Sequence, residues 1–235
     1  MAHDSRPCRS VDPFGSKFDT KSLICSMINR LAFLSALLLA VFAWIAPATA
    51  LDNAVTDPAA RQIAVFDDTL LSAMKGANQL GVSGRYRLLK PVLERTFDFP
   101  AMIATAVGPA FNSLAPADQK ALASAFEKMT IATYAHDFDG YSGERFTISP
   151  NVAVRGDHKL VQTSLITPTE THAFNYVMHA VGGRWMVIDI LLEGYVSQMA
   201  TKRSEYAATV GQGGAAALVT KLNAISDGLL AARQR

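Results

Sequence analysis

The stretch YAHDFDGYSGERF, residues 134–146, holds a histidine, three acids, a serine and two glycines in thirteen positions. It lies where the chain changes period, so its reading decides the fold. As a calcium loop, with Gly140 at the sixth position, it puts Ala135 first and Phe146 twelfth, and neither side chain can ligate calcium. As a nucleophile elbow, Gly140-Tyr141-Ser142-Gly143 carries Glu144 where the last glycine belongs, and a helical pattern precedes it instead of a strand. His136 starts no H-E-x-x-H spacing. The remaining reading is a hinge. A helix ends, Gly140 and Gly143 turn the chain, and Glu144-Arg145-Phe146 begins a strand. Asp137 and Asp139 cap or solvate the corner, and Tyr134, Phe138 and Tyr141 suggest an apolar wall, either ordinary core or the mouth of a cavity.

After the hinge the runs RFTISPNVAV, HKLVQTSLITP, THAFNYVMHAV and GRWMVIDILLEG are β-branched and aromatic, separated by Gly-Asp-His, Pro-Thr-Glu-Thr and Gly-Gly. They predict an antiparallel meander of four strands. Strict alternation puts Trp185, Val187 and Leu191 on one face of the last strand and Met186, Ile188, Ile190 and Leu192 on the other. Both faces are apolar, so both call for cover. Phe174, Tyr176 and Met178 share a face of the third strand. His172 and His179 sit an odd number apart and face opposite ways.

Before the hinge the pattern is helical. Asp57-Pro58 is a capped start, and Ile63, Phe66, Leu70 and Met74 mark one face of a helix ending near Gly81. Residues 83–97 read as a helix kinked or split at Pro91. Pro100 opens a short helix that ends at VGPAF. Pro116 opens a long one, with Asp118 in its first turn. Two offset stripes on that helix, Leu122/Phe126/Met129 and Ile131/Tyr134/Phe138, exceed what one core face needs. Two more helical stretches, 195–210 and 215–232, flank a GQGG turn at 211–214. Helices, then strands, then helices predict an α+β fold.

The amino-terminal segment is of another kind. One Arg precedes an apolar run, Leu31–Ala46, and the exit Ala48-Thr49-Ala50, the pattern of a cleaved secretory signal peptide; the alternative is a retained membrane anchor, for which the run is short. The expected division is residues 1–50 as signal peptide, with Met27 as an alternative start behind an N-terminal extension, and 51–235 as one domain. Of 22 Lys+Arg and 20 Asp+Glu, five and three lie in residues 1–50, leaving 17 of each and no formal net charge. Nothing there suggests nucleic-acid binding, which calls for a basic excess on the working domain. Both cysteines, Cys8 and Cys25, are in the leader. The mature chain therefore has no thiolate chemistry, no disulfide and no thiolate metal site, and no metal or cofactor is expected.

Three segments in order, TFDFPAMIATAVG, DQKALASAFEKMTIATYAHDFDGYSGERF and GRWMVIDILLEGYVSQMATKRSEYAA, followed by Gly-Gly and a final helix, resemble the MlaC family of periplasmic lipid carriers, also called toluene-tolerance proteins. The FDGYSGE hinge, the KRSEY helix and GGAAALV are most similar to its hopanoid-biosynthesis branch, HpnM. The resemblance implies a strongly curved sheet packed with helices around a deep apolar cavity. It implies a non-catalytic carrier of hopanoid or phospholipid in the periplasm, between an inner-membrane transporter and an outer-membrane acceptor.

On this reading the expected lipid-binding wall is Phe97, Met102, Phe111, Tyr134, Phe138, Tyr141, Phe174, Tyr176, Met178, Trp185, Val187 and Leu191. Arg85, Arg87 and Arg145 are the cations near the expected mouth, and Arg145, beside the hinge, is the head-group candidate. A phosphate would engage it in a bidentate contact, whereas a triterpenoid needs hydroxyl partners instead. Two other readings compete. A small pocket enzyme on a cone-shaped sheet would pair Asp189 with Tyr176, unless Asp189 merely holds a helix terminus or an Arg. A non-transporting adaptor of a membrane complex would dock through Lys202 and Arg203.

Overall fold

The computed structural model describes residues 56–232. The proposed signal peptide, Met27 and both cysteines lie outside them. Helix α1 spans Pro58–Lys75, and Asp57 caps it by accepting a hydrogen bond from the Ala59 amide at 2.8 Å. Its buried stripe is Ile63, Phe66, Leu70 and Met74, as the spacing predicts. It stops at Gly76, earlier than expected, and α2 (Ala77–Thr96) begins at once. Helix α2 runs through Pro91 and breaks instead at Gly81, whose φ of 60° and ψ of 175° only glycine readily adopts. Pro91 costs the Arg87 carbonyl its helical partner, but both residues are exposed, so water can satisfy it.

Helix α3 (Phe99–Val107) is capped by Asp98, and a 3₁₀ turn at Pro109–Ser113 leads to α4 (Pro116–Asp137). From Met129 to Ala135 every residue of α4 is buried. The two stripes have this cause: α2, α3 and the last helix all pack against α4.

The hinge then delivers the chain to a sheet of β1 (Arg145–Ile148), β2 (Ala153–Arg155), β3 (His158–Ile166), β4 (Thr171–Val181), β5 (Arg184–Leu192) and β6 (Val196–Ser197). This sheet has six strands, not four. The predicted run RFTISPNVAV divides at Pro150, which cannot donate to a ladder. Its halves pair successively with β3, Ile148 opposite Thr163 and Ala153 opposite Leu160. Two residues of β6 return onto Leu191 and Leu192. The order is β1-β3-β4-β5-β6, all antiparallel and open at the ends. Beyond β6 the edge of β5 is covered where Phe97 bridges Val187 and the Asp98 amide donates to the Val187 carbonyl. Ser197 caps α5 (Gln198–Ala231), whose one non-helical residue is Gly214 in the GQGG turn. Helix α1 lies against β1, β3 and β5, and α2, α3 and α5 also reach β5.

Candidate functional site: the inner face of the sheet

Register defines the face that meets the helices, because residues opposite each other in an antiparallel pair project to the same side. Val161, Tyr176 and Ile190 align, as do Thr163, Phe174 and Leu192. Between Val177 and Met178 the register shifts: Val177 pairs Asp189, and Met178 pairs Val187. Ile188 is the extra residue of a β-bulge. The bulge corrects the alternation read from sequence. Trp185 and Val187 share a face with Ile190, and Leu191, opposite Asn175, turns to the other side.

Onto the inner face the helices deliver rings. Phe66 of α1 meets Phe97 edge-on at 5.3 Å between centroids, Tyr134 of α4 at 5.5 Å and Tyr176 of β4 at 6.2 Å. Tyr134 stacks on Phe138, and Phe97 on Phe99. Each such pair contributes about 0.5–1.5 kcal/mol beyond its area burial. Of the expected wall, Phe97, Met102, Phe111, Tyr134, Phe138, Phe174, Tyr176, Met178 and Val187 are buried in one continuous apolar cluster. Trp185 packs on its margin, beneath the Lys159 ammonium at 4.5 Å, which also pairs with Asp57. Tyr141 is 44 % exposed and lies under Lys75.

The cations divide. Arg85 is buried: its Nε donates to the Ala135 carbonyl at 2.6 Å and Nη1 to the Ala77 carbonyl at 3.0 Å. It joins α2 to the last turn of α4, where helix carbonyls lack partners. Arg87 is exposed. Arg145 is exposed on the face away from the rings, since it neighbours the inward Phe146 and pairs with Ile166. Arg203 donates to the Thr105 carbonyl near the end of α3, Lys202 is half-buried, and Glu205 pairs with Lys221.

Asp189 and Tyr176 do not meet. Asp189 pairs with Val177 on the outer face, and its carboxylate accepts from the Ile190 amide, Ser197 Oγ and the Met199 amide. It holds the start of α5, where a negative charge also favours the helix dipole. In the hinge, Glu144 is buried and accepts from the Ser142 amide at 2.5 Å, so the turn closes on its own carboxylate. His136 Nδ1 lies 2.7 Å from Asp137 Oδ1.

Sequence reading missed Asp67. The residue is 3 % exposed, and neither carboxylate oxygen has a hydrogen-bond partner among the described residues. Burial, and then the neighbouring Asp68 charge, push its carboxyl well above the ordinary range. Burial first, with the Asp67 charge among the further causes, pushes the phenols of Tyr134 and Tyr176 up as well. The signal was present: Asp67 stands four residues after Ile63 and three before Leu70, inside the apolar stripe of α1.

Two hollows open elsewhere. One of about 480 Å³ is lined by Thr147, Gln162, Ser164, Ala173, Asn175 and Gly194, largely on the outer face. The other, about 410 Å³, lies between α3, the 3₁₀ turn and α4, with Phe99, Phe111 and Gln119 in its lining.

Helices folded over one face of an open antiparallel sheet, with an aromatic cluster between the two layers, make this an α+β protein. The chain belongs to the MlaC family, whose model, described as MlaC protein, matches residues 65–224. Seven chains of solved structures match. One is a phospholipid-binding protein from Ralstonia solanacearum, solved in complex with a phospholipid at 1.53 Å. It superposes with a TM-score of 0.64 at 21 % identity, covering 74 % of this chain and 99 % of that one. No curated protein sequence matches the chain.

Proposed function

We propose that this protein is a non-catalytic lipid carrier of the periplasm, exported by the leader at residues 1–50, with residues 51–235 as its lipid-binding domain. The observation that carries the reading is the aromatic cluster between the inner sheet face and α1 and α4, in a chain of the MlaC family. The phospholipid held by the Ralstonia protein of the same fold supports it. The apolar part of the lipid enters between the two layers and spreads the rings into a cavity. Removing it from water is favourable by about 25 cal/mol for each Å² covered. The cargo is a triterpenoid or a phospholipid: the hinge and KRSEY motifs favour the first, the structural neighbour the second. The partners are an inner-membrane transporter and an outer-membrane acceptor, with exposed Arg203 and half-buried Lys202 as candidate docking residues. Native mass spectrometry of protein purified from its own cell envelope tests the reading. The expected result is a bound lipid mass. Protein that arrives empty and takes up neither phospholipid nor triterpenoid refutes it.

A further inference from the structure

A carboxyl buried without a partner is costly, because even a neutral polar group loses about 1–3 kcal/mol when its hydrogen bonds to water are not replaced. Asp67 is such a group, on a helix face where an apolar side chain would serve packing better. Tyr134 comes from α4 and Tyr176 from β4, and both buried phenols are near enough to feel its charge. Tyr176 hydrogen-bonds the Thr163 hydroxyl, whose own proton goes to the Phe174 carbonyl at 2.6 Å, so this phenol donates to Thr163. Thr130, one turn before Tyr134, also has a buried hydroxyl with no partner among the described residues. Apolar rings border the group, since Phe66 packs on both tyrosines.

We propose that Asp67 and Tyr134 form an interior hydrogen-bonding site for one uncharged oxygen, a carbonyl or hydroxyl, of an otherwise apolar ligand. This rests on the carrier reading and deepens it. A protonated carboxyl supplies one donor and one acceptor, and the Tyr134 phenol supplies a second donor. Two donors, from α1 and α4, suit an oxygen with two lone pairs. A phosphate does not suit the site: it would set a second negative group beside an acid, with no cation among the named residues to offset it. The head group of a phospholipid therefore stays outside, and what reaches Asp67 is an ester carbonyl. From a triterpenoid it is a terminal hydroxyl.

Competitive loading read by native mass spectrometry tests this with two matched pairs. One pair is a diester phosphatidylcholine and its diether analogue. The other is a hopanoid alcohol and its parent hydrocarbon. In one pair the wild type should favour the oxygen-bearing member by about tenfold, the worth of a hydrogen bond to a buried group. The pair that shows the preference names the source of the oxygen. Asp67→Leu should lose most of the preference, and Asp67→Asn, which keeps a donor, should fall between. Tyr134→Phe removes only a hydroxyl and should also reduce the preference, which keeps the test open if Asp67→Leu does not fold. Equal loading of both pairs by the wild type overturns the site, as does a preference undiminished in both Asp67→Leu and Tyr134→Phe. A carboxyl satisfied merely by a trapped water gives that equal loading in the wild type. If none of the four ligands loads, the carrier reading fails and the site with it.

Discussion

Asp67 ties stability to pH in a definite direction. Its folded-state carboxyl lies above the ordinary carboxylate range, chiefly through burial and then through Asp68. Between the unfolded value, near about pH 4, and the raised folded value, the folded protein holds a proton that the unfolded chain has released. Stability attributable to this group is therefore full below that window and is lost as pH rises through it, by up to about 1.4 kcal/mol per pH unit. Asparagine has no proton to lose. Thermal unfolding of wild type and Asp67→Asn should thus nearly coincide at about pH 4, with the variant increasingly the more stable toward about pH 8. Parallel pH profiles would show that the carboxyl is not held neutral. A residue that costs stability and whose removal weakens ligand discrimination is the combination expected of a binding group. Arg85 illustrates the opposite residue type. Read from sequence as a cation near the mouth, it is spent on two backbone carbonyls, and burial lowers its pKa, although Asp139 opposes this.

At the scale of elements, what the sequence disclosed was the hinge and the helix starts, because caps and turns are local chemistry. Asp57, Pro100 and Pro116 sit where their residue types belong, and GQGG interrupts α5 at Gly214 as expected. What it concealed depends on neighbours. The β-bulge at Ile188 is a property of the β4–β5 pairing, so counting alternate residues put Leu191 on the wrong face. The break in α2 falls at Gly81 and not at Pro91, because a proline on an exposed face is tolerated when water can reach the freed carbonyl. Gly214 has φ 68° and ψ −175°, with open space where a Cβ would project, so the objection to a side chain there is conformational rather than steric. Gly214→Ala should therefore lower unfolding free energy in urea by about 1–3 kcal/mol, with little change in the slope. An unchanged midpoint would mean that α5 can straighten through the joint at no cost.

For the whole molecule, the α+β order was legible from the change of period at residues 134–146, and most of the expected wall lies in one apolar cluster. Periodicity marks a residue as buried without saying whether it lines a cavity or fills a core, because both demand apolar side chains. Arg145 lies on the outer face and Tyr141 beneath Lys75, placements set by strand register and a neighbouring helix that adjacency along the chain does not give. The central claim is that lipid lies between the inner sheet face and the helices, and not in the polar hollow on the outer face. Photolabelling tests it most directly, using a phospholipid and a triterpenoid that each carry a diazirine in the apolar part, with the labelled residues mapped by peptide mass spectrometry. The account predicts adducts on Phe66, Tyr134, Tyr176 and Met178, suppressed by excess unlabelled lipid. Competable labelling confined to Thr147, Gln162, Ser164 and Asn175 would contradict it.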